Sequence, residues 1–158
     1  MADLVVNLYQ KDFLQDTGVK VRDNEIKIKR VLSPNADAVV EFVNKHFTPG
    51  WASEVKAGLY KPHPTCFVAV HNAEVVGFAC YDATAKGYFG PTGVNPDYRG
   101  KNLGQALLMH TLEAMKQDGY GYAIIGGVND KVTGFYQRHL DLVKIDQKPD
   151  LYNRLLNR

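Results

Sequence analysis

Between Val94 and Leu108 the chain reads VNPDYRGKNLGQALL, a short apolar run that turns through a basic, glycine-containing loop into a helix-forming segment. This order of residues suits anion binding. Where a loop feeds a helix, the first N–H groups have no intrahelical acceptor and the positive end of the helix dipole lies beside them, so several donors converge on one point. Arg99 and Lys101 add positive charge, and Gly100 and Gly104 let the main chain approach a ligand with no Cβ in the way. Asn102 stands between them, and asparagine is the commonest substitute for glycine where φ must be positive. Leu103 and Gln105 complete the first helical turn. The spacing is neither GxxxxGK[ST] nor three spaced glycines with an acidic residue about 20 positions later, so neither a Walker loop nor a dinucleotide fingerprint is present. The plain alternative is a strand-to-helix loop carrying a solvated Arg and Lys.

The rest of the composition narrows what such a loop could serve. With 158 residues, 45% of them hydrophobic and 23% charged, the chain is one domain's worth and can bury a sizeable core. Net charge is +2 and the Lys and Arg residues are spread along the chain, which argues against a nucleic-acid stripe. Neither a signal-peptide pattern nor a membrane-length apolar stretch occurs, so a cytoplasmic protein without membrane partners is expected. Cys66 and Cys80 show no CxxC spacing and are expected as buried, reduced thiols. The histidines at 46, 63, 71, 110 and 139 show no HxxxH or HExxH spacing, and no metal is expected.

The elements that must position the loop follow from periodicity and punctuation. Residues 4–8 and 25–32 read as strands, the second alternating as a half-buried one. Ser33-Pro34 opens a helix that carries Ala38, Val39, Phe42, Val43 and Phe47 to a stop at Pro49-Gly50, and a second helix covers Trp51 to Tyr60. Thr65–Val70 and Glu74–Ala83 form a hairpin. Tyr88–Val94 is a strand interrupted by Gly90, Pro91 and Gly93, the signature of a bulge or a close backbone approach. Lys101–Gln117 is an amphipathic helix stopped by Gly119, with His110 on its apolar face reading as a packed histidine. Tyr120–Val128 is a strand buried on both faces. A short helix at Asp130–His139 and a strand at Leu142–Ile145 follow. The order is α+β around one mixed sheet, with 88–128 as a right-handed parallel crossover.

The loop resembles the coenzyme A loop of the GNAT N-acetyltransferase superfamily, Arg/Gln-x-x-Gly-x-Gly/Ala preceded by Val-x-Pro. Val94, Pro96, Arg99 and Gly104 match, and Asn102 replaces the first glycine. A second resemblance is Asn129-Asp130-Lys131-Val132-Thr133-Gly134-Phe135-Tyr136, similar to the superfamily's Asn-x-x-Ala-x-x-x-Tyr, although the usual Gly-Phe beyond it is replaced by Leu140-Asp141-Leu142. The likeness runs from roughly Glu25 to the end, about 130 residues, and leaves residues 1–24 as an N-terminal extension packed on or near the sheet of a domain spanning 25–158. Segments such as Gly50–Glu54 and Phe89–Val94 look like those of uncharacterised bacterial members.

The resemblance implies a mixed, mostly antiparallel sheet whose two strands beside the long helix splay apart around the pantetheine arm of coenzyme A, with Gly90 and Gly93 facing Gly126 and Gly127. It implies N-acetyl transfer from acetyl-CoA to a primary amine by direct attack in a ternary complex. Cofactor contacts would come from Thr92, Gly93, Val94, Arg99, Gly100, Lys101, Asn102, Leu103, Gly104, Gln105, Asn129, Phe135 and Tyr136. Tyr136 would donate to the departing thiolate, and backbone N–H groups around Thr92 and Val94 would hold the thioester oxygen. Glu54 and Asp82, with His63 as a third choice, are candidates to discharge the ammonium, each taken alone reading more readily as a solvated carboxylate or a loop histidine. Trp51 fits an acceptor pocket or a core anchor. A non-catalytic acyl-CoA sensor and a small-ligand module without coenzyme A remain as alternatives. Acceptor identity stays open, as does a homodimer in which the extension pairs with a second subunit.

Overall fold

The computed structural model describes residues 1–15, 21, 23–146 and 149–156. Seven strands, β1 (Ala2–Asn7), β2 (Lys27–Arg30), β3 (Cys66–His71), β4 (Glu74–Tyr81), β5 (Tyr88–Val94), β6 (Tyr122–Val128) and β7 (Leu142–Ile145), form one sheet in the order β2-β3-β4-β5-β6-β1-β7. Every neighbouring pair is antiparallel except β5 and β6. Four helices, α1 (Ala36–His46), α2 (Pro49–Leu59), α3 (Leu103–Gln117) and α4 (Asp130–His139), complete the α+β architecture.

Alternation along the strands divides the core into two layers. Cys66, Val68, Phe78 and Cys80 face α1 and α2, whereas Phe67, Ala69, Ala79 and Tyr81 face the side of α3. On that side Leu103, Leu107, Leu108, Leu112 and Met115 of α3 are buried with Leu4 and Val6 of β1 and with Tyr136 of α4. Each of those leucines, fully removed from water, contributes about 1.5–3 kcal/mol. His110 packs its ring 6.0 Å from that of Phe67, and burial lowers its pKa, which favours neutral imidazole.

Several element boundaries differ from the sequence expectation, and two of the differences have a local cause. Ser33–Asn35 forms a 3-10 turn and α1 starts only at Ala36. Pro49-Gly50 does not stop a helix but opens α2: Thr48 is extended, its hydroxyl accepts the Trp51 N–H at 3.1 Å, and Pro49 takes the first turn where a missing N–H costs nothing. The N-terminal strand is also placed by tertiary pairing. β1 lies inside the sheet, with Val5 opposite both Ile124 of β6 and Val143 of β7. Among the described residues no helix is long and apolar enough to cross a membrane.

The opening in the sheet lies between β5 and β6. They pair only at Tyr88↔Ile124 and Phe89↔Ile125, after which β5 follows β4 alone through Thr92, Gly93 and Val94. The register against β4 shifts between Ala79 and Tyr81, the irregularity that Gly90-Pro91 foreshadowed. The glycines flanking this opening serve more than the opening itself. A Cβ on Gly93 would fall 2.3 Å from Cζ of Phe47, and one on Gly126 would fall 2.7 Å from the Tyr152 hydroxyl and 2.9 Å from the Tyr88 ring. Aromatic rings occupy the volumes that side chains at Gly93 and Gly126 would need, and of the four glycines at the opening Gly90 alone would meet no described atom within 4 Å.

Candidate active site

The basic loop is built by successive local constraints. Asn95 ends β5 by accepting the Asp97 N–H on its side chain at 2.9 Å, which starts a 3-10 turn over Pro96–Tyr98. The Tyr98 hydroxyl then meets Nδ1 of His71 at 2.8 Å, and the opposite ring nitrogen of His71 lies 3.6 Å from Glu25. Gly100 has φ +82° and Asn102 φ +62°, so the position where asparagine replaces glycine is left-handed, the backbone state that asparagine tolerates. The first intrahelical bond of α3 runs from the Ala106 N–H to the Asn102 carbonyl at 3.0 Å. The N–H groups of Leu103, Gly104 and Gln105 therefore have no acceptor within their own helix.

These groups border a cleft of about 590 Å³ that takes in Val94, Arg99, Gly100, Asn102, Leu103, Gly104, Gln105 and Phe135 of the anticipated cofactor set. Arg138 and His139, which sequence reasoning did not single out, also line it. Their signal was available: they follow Phe135 by three and four positions on a helix, hence share its face. Arg99 bonds through its main-chain N–H to the Pro96 carbonyl at 3.4 Å, while its guanidinium makes no hydrogen bond or ion pair among the described residues. Lys101 instead reaches Asp23 at 3.5 Å and does not line the cleft. Asp23 is held below the usual carboxylate range first by the Glu25 N–H and also by Lys101.

Of the anticipated residues of β5, Val94 lines this cleft, whereas Thr92 and Gly93 precede it on the strand and line none of the cavities described here. The Asn95 N–H donates to the Val76 carbonyl at 2.8 Å, and in an antiparallel ladder only alternate residues bond to a given neighbour. Gly93 therefore turns its main-chain groups toward β4, while those of Thr92 and Val94 point away from it, toward the opening. The Thr92 hydroxyl is used within the sheet, donating to the Phe78 carbonyl at 3.0 Å.

Helix α4 carries the other half of this side. Asn129 is its cap, accepting the Val132 N–H at 2.9 Å, and lines none of the cavities described here. Phe135 packs toward Gly104, whose Cβ, if present, would lie 3.9 Å from the ring. Tyr136 is buried, its ring edge-on to Phe89 and Phe135 with centroids 6.2 and 5.2 Å away. Burial raises its phenol to about 12, and among the described residues its hydroxyl has no hydrogen-bond partner.

On the side of α2, two cavities of about 330 and 660 Å³ share Trp51, Glu54, Thr84, Tyr152 and Leu155. Phe89, Gly90 and Pro91 of β5 wall the smaller one, so Phe89 has this cavity on one side and Tyr136 on the other. Glu54 accepts the Thr84 hydroxyl at 2.7 Å on Oε2. Asp82 is placed differently: φ is +53°, and its carboxylate accepts the Tyr120 hydroxyl at 2.8 and 2.9 Å and the Gly87 N–H at 2.8 Å, closing the turn before β5. Neither Asp82 nor the exposed His63 lines these cavities. Trp51 packs against Phe47 with ring centroids 5.2 Å apart and also lines both cavities. Tyr152 enters from a C-terminal 3-10 turn, Leu151–Arg154, capped by Asp150, and no local motif in that stretch announced it.

A model of the acetyltransferase (GNAT) family matches residues 34–141. No curated protein sequence matches the chain. Among solved structures, a GCN5-related glucosamine N-acetyltransferase region of a fungal multi-domain β-N-acetylglucosaminidase aligns at 18% identity and TM-score 0.64, covering 90% of this chain and 20% of that one. A GCN5-related N-acetyltransferase from Sphaerobacter thermophilus aligns at 18% identity and TM-score 0.62, covering 91% and 49%. A GNAT family acetyltransferase from Brucella melitensis in complex with acetyl-CoA aligns at 18% identity and TM-score 0.57, covering 82% and 92%. The chain thus spans about a fifth and about half of the length of the first two, and at these identities the likeness is one of fold.

Proposed function

Because the chain belongs to the acetyltransferase (GNAT) family, we propose that it transfers an acetyl group from acetyl-CoA to a primary amine by direct attack within a ternary complex. The observation that carries this reading is the start of α3: three N–H groups without intrahelical acceptors, a left-handed Asn102 and an unpaired Arg99 around one cleft. A pyrophosphate fits that donor set, since its charge meets both the helix dipole and the guanidinium.

From there the acyl arm follows the opening between β5 and β6, where the outward main chain of Thr92 and Val94 offers donors for the thioester oxygen. The amine nitrogen forms the new C–N bond as the C–S bond breaks. Before attack the ammonium gives one proton to Glu54, which borders the cavity on the far side of Phe89; the electron pair of the C–S bond leaves on sulfur, stabilised by the Tyr136 hydroxyl, and the proton that the new amide nitrogen sheds neutralises that thiolate. Glu54 suits the proton-accepting role better than Asp82, whose carboxylate is already engaged by Tyr120 and Gly87. No enzyme nucleophile is needed, because holding the reactants within about 3.5 Å supplies much of the rate.

Thermal unfolding with and without acetyl-CoA tests the first half of this reading. A ligand at about 100 times its Kd adds roughly 2.7 kcal/mol, a rise of several degrees. Arg99→Ala should reduce that rise, and thiol release should depend on an added amine. No shift at millimolar acetyl-CoA would overturn the reading, and a shift without release for any amine would leave a binding protein.

A further inference from the structure

The smaller cavity beside α2 is selective in its chemistry. Met1, Trp51, Phe89, Pro91, Tyr152 and Leu155 make its walls mostly apolar or aromatic, and among the described residues that line it Glu54 has the only charged side chain. Thr84 holds Oε2 of that carboxylate, so the group has a fixed orientation and an oxygen, Oε1, to spare. The Tyr152 ring lies against β6 because Gly126 and Gly127 carry no side chains. Burial first, then Glu54 and Asp3, push the Tyr152 phenol upward, which marks the surroundings of the cavity as electronegative. Arg154 lies only at the adjoining larger cavity.

We infer that the acceptor is a primary amine on an uncharged apolar body, an alkyl- or arylalkylamine, with its ammonium on Glu54 and its body between Trp51, Phe89 and Tyr152. This rests on the acetyl-transfer reading and names the substrate for it. A cation between aromatic faces and a carboxylate is favoured twice, by the ring quadrupoles and by the charge. An amino acid is disfavoured because its carboxylate would meet Glu54, and among the described residues the wall offers no cationic side chain to hold it. A diamine or amino sugar is disfavoured because its second ammonium or its hydroxyls would be desolvated against apolar walls without partners. At about 330 Å³ the space accommodates a ligand at the small end of ordinary binding sites.

Trp51 is the single tryptophan of the chain, so its fluorescence reports this cavity without reference to turnover. Titration with 2-phenylethylamine or hexylamine should change the emission saturably, and Glu54→Gln should weaken binding at least tenfold. Tyr152→Leu should raise KM for 2-phenylethylamine about tenfold with a much smaller change in kcat, and Tyr152→Phe should retain near-native KM. In the thiol-release assay both amines should exceed phenylalanine and 1,4-diaminobutane at least tenfold in kcat/KM. Equal or better turnover of phenylalanine or the diamine would overturn the inference while leaving acetyl transfer intact. Saturable amine binding with no acetyl-CoA binding would do the reverse, keeping the amine site and removing the reaction.

Discussion

The proton inventory at Tyr136 decides how that residue can act. A phenol at about 12 facing a thiolate whose conjugate acid lies near 8.5 would lose roughly 5 kcal/mol on complete transfer, so in the proposed reaction Tyr136 would act on the leaving sulfur as a hydrogen-bond donor and not by giving up its proton. Replacing Tyr136 with Phe should lower kcat by about 10–100-fold, the worth of one charge-assisted hydrogen bond, with little change in the affinity for acetyl-CoA. Because the donating form persists until pH rises through about 12, no alkaline loss of kcat below about pH 10 should disappear in that variant. Asn102 offers a separate test. Asn102→Gly should keep acetyl-CoA affinity, whereas Asn102→Val, forced to φ +62°, should lose about 1–2 kcal/mol of stability and weaken binding in a calorimetric titration. Asn102 was legible in the sequence because backbone preference is a property of the residue itself. The engagement of Asp82 was not, because its hydroxyl partner, Tyr120, is 38 positions away.

Elements were legible to the degree that their signals were local. β5, α4 and β7 begin and end where alternation and helical spacing place them. The start of α2 was misread because Pro-Gly both ends and begins helices, and only the position of Thr48 immediately before it distinguishes the two. The glycines of β5 were read as marks of a bulge or close approach and those of β6 as facing the opening, but what approaches them comes largely from α1's end and from the C-terminal turn, which no pattern within the strands can name. Gly93→Ala sets the size of one such contact. Phe47 is wedged among Phe42, Trp51 and Phe78 and cannot easily swing aside, so the added methyl should cost about 1–3 kcal/mol, measured as a lower denaturant midpoint. Phe47→Leu in the same chain should recover part of that loss, since a smaller side chain vacates the contested volume.

At the scale of the whole molecule, the sequence indicated one mixed sheet but not its seam. A strand-like run at residues 4–8 carries no mark of its partners, and β1 turns out to hold β6 and β7 together. Deleting residues 2–8 would expose the inner edge of both strands and remove Leu4, Val6 and Leu8 from the core. That variant should therefore fail to give a cooperative unfolding transition and fail to bind acetyl-CoA, even though the basic loop lies elsewhere. Retention of either property would mean that the β2–β5 half carries the site by itself.

The place of β1 also sets an order of events in time. Asn7 pairs with Tyr122 and Asp3 with Ile145, so this strand leaves the ribosome long before either neighbour exists. Local hairpins such as β3–β4 can form as they emerge, whereas the loop joining β1 to its partners encloses most of the chain and closes late. During synthesis the apolar face of Leu4, Val6 and Leu8 must therefore wait without a partner, the period in which a chaperone would have most to hold.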